Sequence, residues 1–279
     1  MNTDEIEYWL NLSNKLAINV ENAINKSRDD PLNNNVTKIG ADGTPTHKID
    51  EYAEDAAIKT LKNSKKSVIL ISEEIGTITI GEDNAKFLMV LDPLDGTSNA
   101  MKNLPCYGIS IAIAEIKNGE PIESITLNDV EIGYVKNFAN GDVYTAVKGK
   151  GAKKNNKIMS KISNITKINE STLCTYIYRT KNQKVKELCS SVRRMRILGS
   201  IAIELCYVAE GTYDIFLDEG KIIRIFDIAA GQLILKENKG VITDRYSEKL
   251  VNNLTLTEKT SLVACANKKL HENVIKLLN

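Results

Sequence analysis

The chain contains 279 residues, of which 42% are hydrophobic and 26% are charged, and its formal net charge is +1. This composition is ordinary for a water-soluble protein, and a net charge so close to zero argues against nucleic-acid or membrane-surface binding driven by bulk electrostatics. No apolar run reaches the roughly 20 residues that a bilayer span requires, and the acidic N-terminus does not resemble a secretory signal. We therefore expect a cytoplasmic protein with neither a nucleic-acid nor a membrane partner.

The first half of the chain predicts two helices separated by a loop and followed by strands. Apolar residues at helical spacing predict helices over residues 4–25 and 49–61. The polar stretch between them, residues 27–46, predicts a mobile loop, and the basic stretch over residues 148–157 predicts a surface turn. Strands are expected over residues 67–72, 87–91, 107–116, 120–127, 131–135 and 141–146, with a hairpin turn at Asn118 and Gly119.

The second half alternates short strands with helices. Strands are expected over residues 172–177, 195–198, 213–217, 240–243 and 261–266, and helices over residues 184–190, 200–209, 228–237 and 269–278. Antiparallel strands followed by β–α alternation predict a layered fold of the α+β or α/β class. We expect two halves, residues 1–165 and 166–279, within one compact catalytic unit.

Cysteine and histidine usage limits the kind of metal that the chain could bind. The five cysteines are scattered without a C-x-x-C pair, which favours reduced and mostly buried thiols over disulfides or a zinc site. Only two histidines are present: His47, which could touch phosphate or be an ordinary solvent-exposed side chain, and His271, which is expected on a polar helix face and is assigned no role. Any metal would therefore be held by carboxylates, which select hard cations such as Mg²⁺ or Mn²⁺.

The segment over residues 90–97, Val-Leu-Asp-Pro-Leu-Asp-Gly-Thr, carries the strongest chemical signal. Asp92 and Asp95 follow an apolar strand, while Gly96 and Thr97 open a predicted helix. Carboxylates at the end of a strand beside free amides at a helix start suit a divalent metal and a phosphate together. The alternative is an ordinary surface turn rich in aspartate and glycine.

Three further acids lie at the edges of predicted elements. Asp50 begins the second helix, Glu73 follows the strand over residues 67–72, and Asp227 precedes the small residues Ala229 and Ala230 at a helix start. Small residues there allow a close helix approach, which is equally explained by packing alone.

Taken in order, these segments resemble the inositol monophosphatase superfamily of metal-dependent, lithium-sensitive phosphatases. The resemblance rests on Glu73-Glu74, on the run from Asp92 to Thr97 with Asn99, and on Asp227-Ile228-Ala229-Ala230-Gly231. Two more segments, residues 40–46 and 198–205, are similar to the archaeal-type enzymes that act on both fructose 1,6-bisphosphate and inositol 1-phosphate. The resemblance covers the whole chain and implies an α-β-α-β-α sugar-phosphatase fold and a homodimer.

The resemblance also implies a set of metal ligands. Glu73, Asp92 and the carbonyl of Leu94 would hold a first Mg²⁺, and Asp92 would bridge to a second ion completed by Asp95 and Asp227. Asp50 with Glu73 would support a third, weaker ion, and Mn²⁺ is a possible substitute.

The implied catalytic residues are Glu73, Thr97 and Asp50. Glu73 and the Thr97 hydroxyl would orient a metal-activated water for in-line attack, while the amides of Gly96 and Thr97 would receive the phosphate. No covalent intermediate is needed. The haloacid-dehalogenase alternative requires two aspartates two residues apart, whereas Asp92 and Asp95 are three apart with Pro93 between them.

Substrate contacts are expected from two regions of the second half, a small phosphorylated sugar or polyol being the implied partner. In addition to Asp95, Gly96 and Thr97, the candidates are Arg196, Gly199, Ser200, Ile201, Asp218, Tyr178 and Arg179. Arg196 could pair with a second phosphate through its planar fork or could be an exposed arginine. Glu204 could cap, form an ion pair or face another subunit.

Two departures bear on the substrate. Fructose-bisphosphatase relatives often have an arginine two residues after the acid at Asp218, where this chain has Gly220 followed by Lys221. Inositol monophosphatases usually have a tryptophan where this chain has Phe226. An adenosine 3′,5′-bisphosphate phosphatase, or a non-catalytic phosphate-binding relative, stays open as an alternative function.

Overall fold

Helices and sheets alternate through the molecule in five layers. The computed structural model describes residues 1–82, 84–117, 119–160 and 162–279, and the side chain of Arg179 also lies outside the description. The helices are α1 (Thr3–Ser27), α2 (Lys48–Ser64), α3 (Thr97–Met101), α4 (Gln183–Ser191), α5 (Ile201–Glu210), α6 (Ile225–Glu237) and α7 (Lys268–Leu278).

The strands form a hairpin and two larger sheets. The hairpin joins β1 (Val36–Ile39) and β2 (Pro45–His47). The larger sheet contains β3 (Val68–Ser72), β4 (Gly76–Ile80), β5 (Phe87–Asp95), β6 (Gly108–Glu115), β7 (Val130–Asn137), β8 (Val143–Val147), β9 (Ala152–Lys154) and β10 (Lys157–Ile158), in the order β10-β9-β8-β7-β6-β5-β3-β4. The smaller contains β11 (Thr172–Thr175), β12 (Arg194–Met195), β13 (Ile215–Arg224), β14 (Val241–Thr243) and β15 (Lys259–Cys265), in the order β12-β11-β13-β15-β14.

The larger sheet is buried on both faces because successive side chains of a strand point to opposite sides. Leu70 and Met89 belong to the hydrophobic cluster that contains α1 and α2. Ile69 and Leu88, their neighbours in sequence, belong to a second cluster that contains α5 and α6. The pattern explains why residues 68–71 of β3 and 87–91 of β5 are continuous apolar runs.

The smaller sheet is divided in the same way. Phe216 and Ala264 pack into the cluster around α5 and α6, whereas Ile215 and Val263 pack against α4 and α7. The order of layers is therefore α1 and α2, the larger sheet, α5 and α6, the smaller sheet, then α4 and α7. This confirms the layered α+β fold, with α6 near the centre. The division at residues 165 and 166 stays a prediction.

Three predictions of local structure were wrong. The segment 27–46, predicted as a loop, contains β1 and most of β2, and the basic segment 148–157 contains β9. Residues 120–127, predicted as a strand, instead contain a 3₁₀ turn over Ile122–Ser124 and the start of another over Leu127–Asp129. The hairpin predicted at Asn118 and Gly119 therefore lacks its second strand, and Asn118 itself lies outside the described residues.

Other predictions concern single residues. His271, expected on a polar helix face, is buried, and its Nε2 lies 2.8 Å from the Thr243 hydroxyl. All five cysteines are unpaired, and four of them are buried, as expected. Within the described ranges, no helix combines the length and apolar character that crossing a bilayer requires.

Candidate active site

Asp92 and Asp95 lie at the C-terminal end of β5, an interior strand of the larger sheet. The ladder between β5 and β6 is irregular between these two residues, and both are buried. Gly96 follows with a φ of +91°, and a Cβ there would lie 2.8 Å from the carbonyl oxygen of Cys106. Glycine is therefore required for the chain to turn directly into α3.

Thr97, the first residue of α3, is held by the start of α2. Its hydroxyl lies 2.8 Å from Asp50 Oδ1 and 3.1 Å from the carbonyl oxygen of Leu94. The other oxygen of Asp50 accepts the amide of His47 at 2.7 Å. The structure thus brings together Asp50, Thr97 and Leu94, three residues that the sequence placed in one site.

Arg224 binds three carboxylates from three separate segments. Its Nη1 lies 2.5 Å from Asp42 Oδ2 and 2.5 Å from Glu73 Oε1. Its Nε and Nη2 donate to the two oxygens of Asp227 at 3.1 and 2.9 Å. Asp42 lies between β1 and β2, Glu73 follows β3, and Asp227 lies in the first turn of α6, so this arginine joins both sheets at the site.

Asp95 is held by the segment that enters α5. The Ser200 hydroxyl and the Ala202 amide donate to Asp95 Oδ2 at 2.7 and 2.8 Å. Glu204, which is fully buried, accepts the amides of Leu198 and Gly199 at 2.7 and 3.3 Å. Glu204 therefore fixes the segment that positions Asp95. The sequence alone had left the role of Glu204 open.

Burial of several acids together raises their pKa values. Burial raises the pKa of Asp92 well above its usual range, and the negative charges of Glu73 and Asp95 raise it further. Burial, with a contribution from Asp227, raises the pKa of Asp95 to about 7. The pKa of Glu73 is also raised by burial, although Arg224 opposes the shift. Such a cluster favours binding of a cation, because a cation removes the repulsion.

The donor set fits a divalent cation. Asp92 Oδ2 is buried and has no hydrogen-bond partner among the described residues. A cavity of about 10 Å³, near the size of one water molecule, is lined by Asp92 together with Asp50, Glu73, Glu74, Pro93 and Leu94. Among the described residues, however, no group of three or more His, Cys, Asp or Glu side chains is arranged to coordinate a metal ion. Arg224 supplies the positive charge to Glu73 and Asp227.

A cleft of about 630 Å³ opens over these residues. It is lined by Thr44, Glu73, Asp92, Leu94, Asp95, Gly96, Thr97, Ser98, Tyr176, Tyr178, Gly199, Ile201, Ile222, Arg224, Asp227 and Lys259. The predicted substrate contacts Tyr178, Gly199 and Ile201 thus lie in the cleft with the acids.

Other predicted contacts lie elsewhere. Arg196 is exposed, and its guanidinium donates to the carbonyl oxygen of Met195. It is not one of the described residues that line the cleft. Ser200 is buried against Asp95, and Asp218 Oδ1 accepts the Gly220 amide at 2.9 Å. The side chain of Arg179 lies outside the described part of the chain. Substrate binding by these residues stays a prediction.

Sequence reasoning missed Arg224, Asp42 and Lys259. Arg224 lies three residues before Asp227, a spacing at which side chains meet on a helix, and this was the available signal. Asp42 lay in the segment predicted as a loop. Lys259 lies opposite Arg224 in the ladder between β13 and β15, a pairing with no local sequence signal.

Comparison with known proteins identifies the class to which this fold and this site belong. The model of the inositol monophosphatase family matches residues 5–279, and the chain belongs to that family. Membership places it among the phosphoric monoester hydrolases, in a family that is generally metal-dependent.

Several members of this class are similar to the chain over nearly all of its length. The fructose-1,6-bisphosphatase/inositol-1-monophosphatase of Methanothermobacter thermautotrophicus is 43% identical over 100% of this chain and 99% of the relative. The bifunctional NADP phosphatase/NAD kinase of Methanococcus maripaludis is 39% identical over 94% of this chain, which spans only 48% of that protein. A solved inositol monophosphatase–fructose 1,6-bisphosphatase is 28% identical, covers 100% of both chains and superposes with a TM-score of 0.79.

Proposed function

We propose that the protein is a Mg²⁺-dependent phosphatase of small sugar or polyol phosphate monoesters, with fructose 1,6-bisphosphate and inositol 1-phosphate as leading substrates. The observation that carries the proposal is the buried Oδ2 of Asp92, which has no hydrogen-bond partner within the described part of the chain and lies beside a cleft shared with Glu73, Asp95 and Asp227. Buried carboxylates without a cation would repel one another, and oxygen donors select Mg²⁺. The identity with dual-activity relatives supports the substrates.

The residues suited to hold two to three ions are those expected from the sequence. Glu73, Asp92 and the Leu94 carbonyl would hold one, Asp92, Asp95 and Asp227 a second, and Asp50 with Glu73 a third, weaker one. Arg224 would have to release Glu73 and Asp227 for these ions to bind. When bound, divalent ions of such sites acidify water and stabilise charge on the leaving oxygen.

The protein's own groups orient the reactants. Asp50 holds the Thr97 hydroxyl at 2.8 Å, and both Thr97 and Glu73 line the cleft where water would attack phosphorus. Burial raises the pKa of Glu73, which suits a carboxylate that accepts a proton from that water. The amides of Gly96 and Thr97 would bind the phosphate oxygens.

A phosphorylated dinucleotide is a second candidate substrate. The likeness to NADP phosphatase/NAD kinase proteins supports it, and one structural observation favours it: a further cavity of about 480 Å³ adjoins the cleft. An adenosine 3′,5′-bisphosphate phosphatase stays an alternative. A non-catalytic relative is disfavoured because all five predicted carboxylates, Asp50, Glu73, Asp92, Asp95 and Asp227, are present. Homodimeric assembly, lithium inhibition and a cytoplasmic location stay predictions.

Replacing Asp92 tests the proposal. Phosphate release from inositol 1-phosphate and fructose 1,6-bisphosphate should require Mg²⁺ and should stop when the metal is chelated. Asp92→Asn should lower kcat by about a hundredfold or more, because it removes a ligand shared by two ions.

The exposed Asp29→Asn serves as the control and should keep wild-type activity. Circular dichroism should show that both variants are folded. Turnover by the Asp92→Asn protein at the wild-type rate, or activity independent of divalent cations, would disprove the proposed function.

A further inference from the structure

A second cavity, here called the side cavity, adjoins the active-site cleft. It has a volume of about 480 Å³ and is lined by Glu219, Lys221, Asp244, Arg245, Tyr246, Asn252, Lys259, Thr260 and Ser261. Lys259 also lines the cleft, so the two cavities share a wall. No step of the proposed hydrolysis uses the other residues of the side cavity.

A break in the smaller sheet forms part of this wall. The ladder between β13 and β15 pairs Asp218 with Leu262 and then resumes only at Ile223 with Thr260. Within the break, Ile222 lines the cleft, whereas Lys221 lines the side cavity. Residues on opposite sides of this short segment therefore face two adjoining spaces, and a long ligand could extend from one to the other.

The side cavity is lined by three basic residues, Lys221, Arg245 and Lys259, and by two acids, Glu219 and Asp244, which leaves one positive charge in excess. Glu219 is engaged by Arg245 at 3.1 Å and by the amide nitrogen of Asn182 at 2.6 Å. Within the described ranges, no ion pair engages the ammonium groups of Lys221 or Lys259. Two exposed cations beside a phosphatase cleft suit a second anionic group on the substrate.

The side cavity also offers a planar surface. Tyr246 is 66% exposed, and the Arg245 guanidinium lies 5.4 Å from the centroid of its ring. An exposed aromatic ring next to a guanidinium is a surface on which a nucleobase can stack.

We propose that the side cavity is a second subsite of the active site, which binds the diphosphate and distal nucleoside of a dinucleotide whose phosphate monoester lies in the cleft. This inference rests on the proposed phosphatase function. In the reaction, water adds to phosphorus, the ester P–O bond breaks and the ribose oxygen takes a proton, which leaves inorganic phosphate and the dephosphorylated dinucleotide. Lys221 would bind the diphosphate and Tyr246 would stack on the base.

Kinetics on two substrates test the subsite. NADP carries a diphosphate and a distal nucleoside, whereas inositol 1-phosphate carries neither. Lys221→Gln and Tyr246→Ser should each lower kcat/KM for NADP about tenfold relative to kcat/KM for inositol 1-phosphate, through a higher KM. Lys150→Gln, at an exposed lysine in the turn between β8 and β9, is the control and should leave this ratio unchanged. An unchanged ratio in both subsite variants would overturn the proposal.

Two further measurements distinguish failure of the subsite proposal from failure of the proposed function. If the Lys221 variant loses as much on fructose 1,6-bisphosphate as on NADP, the subsite binds a sugar phosphate and the dinucleotide assignment is wrong. If the wild type releases phosphate from none of these compounds, the proposed function fails. The subsite is then tested separately by calorimetry, which measures the affinity of the wild type and of the Lys221→Gln variant for NADP. Binding about tenfold weaker in Lys221→Gln supports it, and equal binding refutes it.

Discussion

Arg224 neutralises part of the negative charge of the site when no metal ion is bound. It donates to Asp42, Glu73 and Asp227, and two of these carboxylates are largely withdrawn from water. Buried acids without such a partner would have to be protonated or would destabilise the fold. Arg224 and a divalent cation therefore satisfy the same carboxylates, and they should compete for them.

Replacement of Arg224 tests this competition. Arg224→Met should lower the stability of the metal-free protein by about 3 kcal/mol, because carboxylates are left buried without their partner. Mg²⁺ should restore more stability in the variant than it adds to the wild type, since cation binding replaces the lost charge. Thermal unfolding with chelator and with saturating Mg²⁺ measures both effects.

Arg193→Met, at an exposed arginine, is the matched control and should change stability little in either condition. If the Arg224 variant is destabilised equally with and without Mg²⁺, the arginine has only a structural role and does not compete with the cation.

Sequence reasoning found the acids of this site but not the arginine. Asp92, Asp95, Glu73 and Asp227 follow apolar runs or precede small residues, so each has a local signal. Arg224 instead contacts Asp42 and Glu73, which lie 182 and 151 residues away in sequence. Contacts of this separation depend on how the two sheets are stacked, and neither spacing nor periodicity reports that.

At the scale of elements, prediction succeeded where burial imposes a period. The helices α1, α2, α5 and α7 each bury one face or more and were found within a few residues of their ends. The strand β1 was missed because all four of its residues are exposed, so no apolar alternation marks it. The segment 120–127 has apolar residues at strand-like spacing, but Pro121 precedes a 3₁₀ turn that ends any strand.

Glu204 shows how one element positions another. The two carboxylate oxygens of Glu204 accept hydrogen bonds from four groups: the amides of Leu198 and Gly199, the Tyr176 hydroxyl at 3.1 Å and the Cys174 thiol at 3.1 Å. A glutamine would turn an N–H₂ group toward donors, and at least one buried donor would lose its acceptor. The segment that holds Asp95 would then be less well fixed.

We expect Glu204→Gln to lower the free energy of unfolding by about 2 kcal/mol and kcat by about tenfold. Urea denaturation and steady-state kinetics on inositol 1-phosphate measure these changes. Glu187→Gln, on the exposed side of α4, is the control and should alter neither. Full activity in the Glu204 variant would show that the segment before α5 keeps its geometry without this carboxylate.

At the scale of the whole molecule, α6 joins the layers. Its residues from Ile225 to Leu235 are all buried, which agrees with a sequence that is apolar around the whole helix. Such a helix must be covered on every side, so a central position could be expected from composition. The order of strands could not, because the pairing of distant strands leaves no periodic trace in the sequence.

The helix α6 packs tightly against the larger sheet at Gly133 of β7. A Cβ at this position would lie 2.8 Å from the carbonyl oxygen of Ala230, a backbone atom that cannot rotate away. Gly133→Ala should therefore push α6 from the sheet and displace Asp227, one turn earlier on the same helix. We expect a loss of about 1–3 kcal/mol in unfolding free energy and a fall in kcat of about tenfold.

Gly220→Ala is a useful comparison for stability, because the added Cβ would meet only side-chain atoms, the nearest of them in Ile222 at 3.2 Å. Chemical denaturation should leave this variant close to the wild type while Gly133→Ala unfolds at lower denaturant. Because the displacement acts on the metal ligand, the Gly133 variant should also need more Mg²⁺ for half-maximal activity. A Gly133→Ala protein with normal stability and an unchanged Mg²⁺ requirement would show that Gly133 and Asp227 are not rigidly connected through α6.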